Sequence, residues 1–320
     1  MKGRKILNAA IAAIIALGSG GCFTGVESTP RITDSEVRKE KAAGITPEQT
    51  YLSHIRPLPP SQWQPGKAFK VTDSRISRIF SLSPEAISAL PGNNIYFKSM
   101  SPVRSLTGDD ATEILFADRD GMEYSYSING LTPERLDTLK FLEIPFTVDL
   151  DIVRQIDKSL TGKNFYIKTS AWYNTDDMSK VNGLRHIEIT VDSVLPGDSY
   201  FPATVCFSVT DPEMAARVGN NEYAVYMSVG ESRAATRNFD TLFSFNNPRK
   251  EHPEITNDIW NLIISSKVKD GMTREECRLA LGAAPNVLRT PSYGGMREVW
   301  SYSDGVFLIF EDGLLTRFRL

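Results

Sequence analysis

Histidine and cysteine, which supply many metal sites and catalytic nucleophiles, are scarce: the 320 residues contain three of each. His54, His186 and His252 lie in separate segments, so no two stand at the spacing of a metal-ligand pair. We expect each to be an ordinary surface or strand-edge residue. The sequence also has no Gly-x-Ser-x-Gly elbow, no phosphate-binding glycine loop and no His-Glu-x-x-His. We therefore predict no catalytic residue, no metal and no cofactor.

The three cysteines are Cys22, Cys206 and Cys277. The last two fall on different predicted elements, and a sequence does not show whether their Cβ atoms meet. Two buried thiols that pack as small hydrophobic groups are the preferred interpretation, and a disulfide in an oxidising compartment is the alternative. Cys277 stands in the first turn of a predicted helix, where a thiolate is favoured. For this residue too, packing in the core is preferred over a nucleophilic role.

An excess of one charge is also lacking, since the formal net charge is −3. Such a charge, with dispersed Lys and Arg, argues against a nucleic-acid partner. The content of 41% hydrophobic and 23% charged residues is typical of globular proteins. The acidic pairs are Asp118 with Asp120, Asp149 with Asp151, and Asp176 with Asp177. The first is predicted to form a hairpin turn rather than half a calcium loop, and the others to be solvated loop charges rather than acid–base pairs.

No apolar run is long enough for a mature membrane-spanning helix. The run at 6–17 has about twelve residues, which is the core length of a signal peptide. Basic residues precede it, and Ser19, Gly20 and Gly21 stand before Cys22. This start resembles a bacterial lipoprotein signal, which implies a signal peptide at 1–21, a diacylated Cys22 and an anchor in the outer membrane of the cell envelope. Secretion with Cys22 as a free or paired thiol is the alternative.

Residues 22–60 are rich in polar side chains and end in closely spaced prolines, which predicts a flexible tether. From 61 to 250, short β-favouring runs alternate with Gly, Pro, Asn and Asp, so we predict two β-rich modules, at 61–150 and 151–250. The stretches 90–99 and 160–169 share one layout, Leu-x-Gly-x-Asn followed by a strand and a lysine. This likeness indicates either duplicated units or a common turn-then-strand pattern.

The C-terminal region, 255–320, predicts two helices followed by three strands. Apolar residues at 259, 260, 263 and 264 form a helical stripe. Thr273 and Glu276 have the spacing of a capping box, and Gly282 is placed to end that second helix. Turn signals at 303–305 and 312–313 separate the strands. The predicted fold class is α+β: β-rich middle modules, made of small sheets or barrels, and a C-terminal ααβββ module.

Residues in this region carry a resemblance to a known family. The motifs are Gly271-Met272-Thr273, then Leu281-Gly282 and Pro285, then Glu298 to Tyr302 and Phe310 to Leu314. They resemble the BamE (SmpA/OmlA) family, whose module is similar to the β-lactamase-inhibitor-like fold. Family members are outer-membrane lipoproteins that support assembly of membrane β-barrels, or proteins that bind and block periplasmic enzymes. In the family motif, Val or Ala packs inward at the place of Cys277.

The function predicted from these features is that of a lipid-anchored envelope lipoprotein that binds or scaffolds another envelope protein. The candidate contact is the open face or an edge strand of the C-terminal sheet. The helix and strand periods place Trp260, Trp300, Tyr302, Phe307 and Phe310 mainly in the core. Because alternation also turns some side chains outward, Trp300, Tyr302, Phe307 and Phe310 are the candidate binding surface. Two alternatives are a hydrolase or carbohydrate-acting enzyme with a site assembled across the middle modules, and a ligand-binding lipoprotein.

Overall fold

A computed structural model describes residues 44–80, 90–105, 107–139, 142–219, 221–229, 237–292 and 295–320, apart from the side chain of Asp304. The signal peptide, Cys22 and most of the predicted tether lie outside these residues. The elements belong to one unit, Thr46–Leu320. None of the helices described is both long and apolar enough to cross a membrane.

The architecture is α+β and rich in antiparallel strands, as the sequence predicts. The described α-helices are α1 (Pro47–Thr50), α2 (Pro133–Leu136), α3 (Leu150–Leu160), α4 (Pro212–Val218), α5 (Phe239–Leu242), α6 (Pro248–Glu251), α7 (Asn257–Ile264) and α8 (Arg274–Leu281). Short 3-10 helices occur at Pro60–Gln62, Ser74–Arg78 and Ser303–Gly305. Helix α2 begins at Pro133, a residue that is favoured in the first turn of a helix.

The first sheet has five strands in the order β4-β3-β2-β1-β5. They are β1 (Ala68–Val71), β2 (Asn94–Arg104), β3 (Asp110–Ala117), β4 (Glu123–Asn129) and β5 (Thr147–Asp149). The predicted hairpin around Asp118 is confirmed as β3 and β4. The Asp118 carboxylate accepts the N–H groups of Asp120 and Met122 and the hydroxyl of Tyr124. These bonds build the turn, so the hairpin interpretation of this acidic pair holds.

The second sheet has seven strands in the order β12-β6-β9-β10-β11-β7-β8. They are β6 (Asn164–Ile167), β7 (Ala171–Asn174), β8 (Lys180–Asn182), β9 (Ile187–Pro196), β10 (Ala203–Val209), β11 (Tyr223–Met227) and β12 (Phe243–Ser244). Helix α3 covers one face, because its apolar residues at 152, 153, 156 and 160 recur at helical spacing and are buried in the core of this sheet. Asp149 begins α3 by accepting the N–H of Asp151.

The prediction of a flexible tether at 22–60 is wrong for the last part of this range, which is folded. Helix α1 begins with a capping box between Thr46 and Gln49. Beyond it, Leu52 and Ile55 are buried in the core of the second sheet. Tyr51 packs against Phe165, Phe239 and Phe245, with ring centroids 6.2, 4.8 and 5.0 Å away. The segment has few apolar residues, but Tyr51, Leu52 and Ile55 are large and pack against the core of the second sheet.

The two similar stretches share a turn but not a topology. Gly92 and Gly162 have φ of 84° and 76°, which favours glycine. Each donates its N–H to a valine carbonyl, Val71 at 2.9 Å and Val191 at 2.8 Å. Val71 belongs to a strand that precedes the turn, whereas Val191 belongs to one that follows it. The likeness is therefore one of turn and strand, and it does not extend to the order of strands.

The third sheet has four strands in the order β13-β14-β15-β16, so the C-terminal arrangement is ααββββ and not the predicted ααβββ. The strands are β13 (Asn286–Ser292), β14 (Gly295–Ser301), β15 (Phe307–Glu311) and β16 (Leu314–Arg319). Helices α7 and α8 bury their apolar stripes against one face of this sheet. Thr256 caps the start of α7. The predicted capping box of Thr273 and Glu276 is confirmed at the start of α8.

Candidate functional site

Two of the four predicted surface aromatics lie in the core. Trp300 is 3% exposed and Phe310 is fully buried, with ring centroids 4.7 Å apart. They pack with Cys277 and Ala280 of helix α8. Alternation along a strand turns every second residue to the same face, and positions 300 and 310 face the helices. The expectation of core packing is therefore confirmed for these two residues, and the alternative of a binding surface is wrong for them.

Tyr302 and Phe307 are both partly exposed, but they differ in role. The hydroxyl of Tyr302 donates to the carbonyl of Gly282 at 3.0 Å, at the end of α8. Burial, and then the nearby Cys277, raise the pKa of Tyr302 to about 12. Tyr302 therefore joins helix to sheet. Phe307 pairs with Ser301 and Arg319 on the face turned away from the helices, so it alone of the four lies where contact was predicted.

The face of the third sheet opposite α7 and α8 is here called the outer face. Strand register places Leu288, Val299, Ile309 and Arg317 side by side across it. Leu288 is 64% exposed, and Val299 and Ile309 are half-buried. With Phe307 beside them, Leu288, Val299 and Ile309 form an apolar centre across β13, β14 and β15. A partner could cover this flat, already ordered surface without rearranging it.

Basic side chains surround the apolar centre. Arg297, Arg317 and Arg319 belong to the outer face by register and are exposed, and Glu311 is the acidic residue opposite Arg297. Arg297, Glu311 and Arg317 line a shallow depression beside Ile309. Arginine is enriched at protein interfaces because it combines charge with apolar contact. The outer face thus suits a partner surface with apolar and acidic side chains.

Among the described residues, no strand pairs with the outer edge of β13, so this edge of the third sheet is open. β13 is the outermost strand, and Val287 and Leu288 are both exposed, on opposite faces. The other edge, along β16, is occupied, since Leu315 exchanges backbone hydrogen bonds with Gly271 and Met272 at 2.8 Å each. Open edges pair readily with another chain. A partner could therefore extend from the outer face onto β13.

Arg185 and His186 join the second sheet to the helices behind the third. Arg185 donates from its backbone to Ile264 at 2.8 Å and from its guanidinium to Leu281 at 3.4 Å. His186 is buried, packs near Trp260 and donates from Nε2 to the carbonyl of Leu279 at 2.9 Å. The prediction of a surface or edge residue is wrong for His186. The α7–α8 layer is fixed to the second sheet by these bonds.

The remaining histidines and cysteines that the structure describes lie apart from one another. His54 is exposed, and His252 lies 3.3 Å from Glu254. Among the described residues, no group of His, Cys, Asp and Glu could hold a metal ion. Cys206 and Cys277 are both free and buried, as preferred over the disulfide. Burial raises the pKa of Cys277 to about 12, which argues against a nucleophilic role.

The pKa values of the carboxyl groups bear on general acid catalysis, since a general acid needs a raised pKa to stay protonated near neutral pH. In the described part of the chain, every carboxyl group with a shifted pKa has it lowered, because hydrogen bonds and neighbouring cations outweigh burial.

Asp149 and Asp151 are not solvated loop charges as predicted, since both bind the buried amine of Lys67, at 2.7 and 2.6 Å.

The second sheet presents a further aromatic surface, on the face turned away from α3. Tyr173 and Tyr226 have ring centroids 4.7 Å apart, and Phe201 stacks on Tyr226 at 6.3 Å. The guanidinium carbon of Arg237 lies 5.7 Å from the centre of the Phe201 ring. These four side chains are half-buried. They show that the sheets of this protein carry apolar side chains on open faces as well as in the cores.

Comparison with known proteins adds no relative: no family model, no curated protein and no solved structure matches the chain. The resemblance to the BamE family therefore rests on the quoted motifs alone.

Proposed function

We propose that this chain is a lipid-anchored protein of the bacterial cell envelope that binds another envelope protein through the outer face. The observation that carries the proposal is the row Leu288–Val299–Ile309, an apolar strip on an ordered sheet with arginines around it. Interfaces commonly place apolar side chains at the centre and charged side chains at the rim. The lipoprotein-like start and the BamE-like motifs support the same proposal.

The chemistry of this proposal is recognition without turnover. When the partner binds, the apolar surface of Leu288 and Ile309 is removed from water. Each Å² of apolar surface buried in this way contributes about 25 cal/mol to the binding free energy. Arg297 and Arg317 select acidic side chains around that area and speed the encounter. The role is that of a scaffold, with outer-membrane assembly or maintenance as the process favoured by the family resemblance.

Placing a negative charge in the apolar centre should abolish partner binding. We expect Ile309→Asp and Leu288→Asp to reduce the amount of partner recovered with the protein by about tenfold or more, because each replaces apolar contact area at the centre of the interface by a carboxylate that must lose its water when the partner binds. The measurement is copurification from detergent-solubilised envelopes, quantified by mass spectrometry.

Leu58→Asp is the matched control, since Leu58 is an exposed leucine far along the chain from the third sheet. It should leave recovery unchanged. Equal recovery with all three variants, at equal thermal stability, would count against the outer face as the binding surface.

Removing the acylated cysteine should release the protein from the membrane. Two acyl chains hold a protein firmly because each buried methylene contributes about 0.8 kcal/mol. We expect Cys22→Ala to move the protein from the membrane fraction to the soluble fraction, whereas Cys206→Ala leaves it in the membrane. Fractionation followed by immunoblotting measures this. If Cys22→Ala stays in the membrane fraction, the anchor is not at Cys22.

A further inference from the structure

The hydrogen bonds of β14 show which backbone groups of β13 point out of the third sheet. In an antiparallel sheet, successive residues of a central strand direct their backbone groups to opposite neighbours. The carbonyl of Met296 accepts the N–H of Asp312, at 3.3 Å, and the N–H of Tyr302 donates to Val306, at 2.9 Å. The even-numbered residues of β14 therefore bond toward β15, and the residues opposite them on β13 direct their backbone groups to the open edge.

Those outward-directed residues are Val287, Arg289 and Pro291. Val287 and Arg289 each present an N–H and a carbonyl, whereas Pro291 presents only a carbonyl because proline has no N–H. Residues 286–291 are all exposed. The edge is thus ready to pair with an added strand along its first half, and Pro291 withholds a donor toward the hairpin end.

The charge at this edge is positive. β13 has a single charged residue, Arg289, whose side chain is 68% exposed. Arg289 and Arg274 both contact the buried carboxylate of Glu298, at 3.4 and 3.0 Å. Arg278, a further cation of helix α8, is paired with Glu275 at 2.7 Å. Two guanidinium groups therefore share one carboxylate, which leaves a positive charge at the more exposed of them, Arg289.

We propose that the partner supplies an extended segment that pairs with β13 as a fifth strand, with an acidic side chain beside Arg289 and apolar side chains beside Leu288. This inference rests on the proposed function and specifies how the partner is held. Leu288, 64% exposed, begins the apolar row of the outer face, so a fifth strand continues that row. The acidic side chain balances the charges of Arg274, Glu298 and Arg289. Backbone hydrogen bonds supply affinity, and the two side-chain contacts supply specificity.

A second copy of this chain fits the edge less well. An antiparallel copy of β13 would place its own Arg289 on the same face of the sheet and close to the first. Like charges across a strand pair are unfavourable. An acidic segment of another protein turns the same position into a favourable pair.

Crosslinks from the two faces of β13 distinguish strand pairing from coverage of the outer face alone. A photoreactive amino acid is placed singly at Val287 and at Leu288, which point to opposite faces. Leu58 is the control for Val287, since the two are 40% and 43% exposed. A strand along the edge lies beside both faces, so we expect the same protein adduct from Val287 and Leu288 in intact cells, and its absence from Leu58.

The outcomes separate this inference from the proposed function. An adduct from Leu288 and Ile309 without one from Val287 would overturn strand pairing and leave the outer face as the binding surface. An adduct with the mass of two copies of this chain would overturn the assignment of the edge to another protein. Absence of adducts from all three positions would overturn both proposals.

Val287→Pro tests the backbone bonds, because it removes an outward N–H and leaves the donors that bond to β14. We expect it to lower partner recovery in copurification from detergent-solubilised envelopes by about fivefold or more. Val287→Thr is the matched control, since it keeps the N–H and the branched shape, and it should leave recovery unchanged. Equal losses with Pro and Thr, at equal thermal stability, would overturn the role of the backbone.

Arg289→Gln tests the charge and remains informative if Val287→Pro does not fold. We expect about two- to fivefold lower recovery, the effect of losing one partly exposed charge pair. Arg154→Gln is the matched control and should change nothing, since Arg154 is 66% exposed and also pairs with a carboxylate, that of Asp151. Unchanged recovery with Arg289→Gln, where Ile309→Asp abolishes recovery, would overturn the acidic segment while leaving the proposed function intact.

Discussion

Replacing Lys67 by Met is expected to lower the free energy of unfolding by about 3 kcal/mol, because it leaves two carboxylates without their buried cation. The Lys67 side chain is only 3% exposed. Its amine contacts Asp149 at 2.7 Å and Asp151 at 2.6 Å, and it lies 5.2 Å from the centre of the Phe69 ring. Lys67 thus ties the first sheet to the start of α3. Urea denaturation followed by circular dichroism measures the loss.

The effect should be strongly non-additive. Burial alone would raise the pKa of Asp151, but the hydrogen bond and charge of Lys67, together with those of Arg154, outweigh burial and the pKa is lowered. Without Lys67, the negative charges of Asp149 and Asp151 destabilise the folded state. The triple variant Lys67→Met, Asp149→Asn, Asp151→Asn removes these charges and should recover at least half of the lost stability. A loss below about 1 kcal/mol in the single variant, or a further loss in the triple variant, would show that this cluster is not a stabilising ion group.

Acid should loosen the junction between the second sheet and helices α7 and α8. Burial, partly offset by the hydrogen bond to Leu279, lowers the pKa of His186 from 6.5 to about 4, and the positive charges of Arg185, Lys168 and His252 act in the same direction. The folded protein therefore favours neutral His186. Its contribution is fully present above pH 6.5 and is lost as the pH falls toward 4. The shift corresponds to about 3 kcal/mol.

The variant His186→Asn tests whether protonation of His186 causes this loss of stability in acid. His186 has φ of 58°, a conformation that Asn tolerates better than most residues. The variant should be less stable at pH 7, but it should lose less stability between pH 6.5 and pH 4, as measured by urea denaturation at each pH. Carboxylates whose pKa is lowered add the same acid sensitivity to both proteins. Equal losses in the two proteins would rule out His186 as the titrating group.

The C-terminal helices could be read from the sequence because their signals are local. The stripe at Ile263 and Ile264 and the capping box of Thr273 and Glu276 each lie within one or two turns. Strand β13 escaped prediction because Pro285 and Pro291 suggest a loop. An outermost strand tolerates proline, since an N–H that points to solvent is not needed for pairing. The β-favouring run at 287–290 is the feature of the sequence that indicates this strand.

The site itself depends on information that a sequence conveys poorly. A strand pattern does not say which alternate face meets the helices, so it does not tell which of the four aromatics are buried, as Trp300 and Phe310 are, and which lies outward, as Phe307 does. The contacts of Lys67 with Asp149, and of His186 with Leu279, join residues far apart in the chain. Nothing in the local pattern pairs them. Charge and apolarity at these positions were visible, but their partners became known only from the fold.

Site-specific photocrosslinking in intact cells tests the central claim most directly. A photoreactive amino acid is placed singly at Leu288, at Ile309 and, as control, at Leu58. The account predicts one reproducible protein adduct from the two outer-face positions and its absence from the control. The same adducts from all three positions, or none from Leu288 and Ile309 in a folded and exported protein, would contradict it.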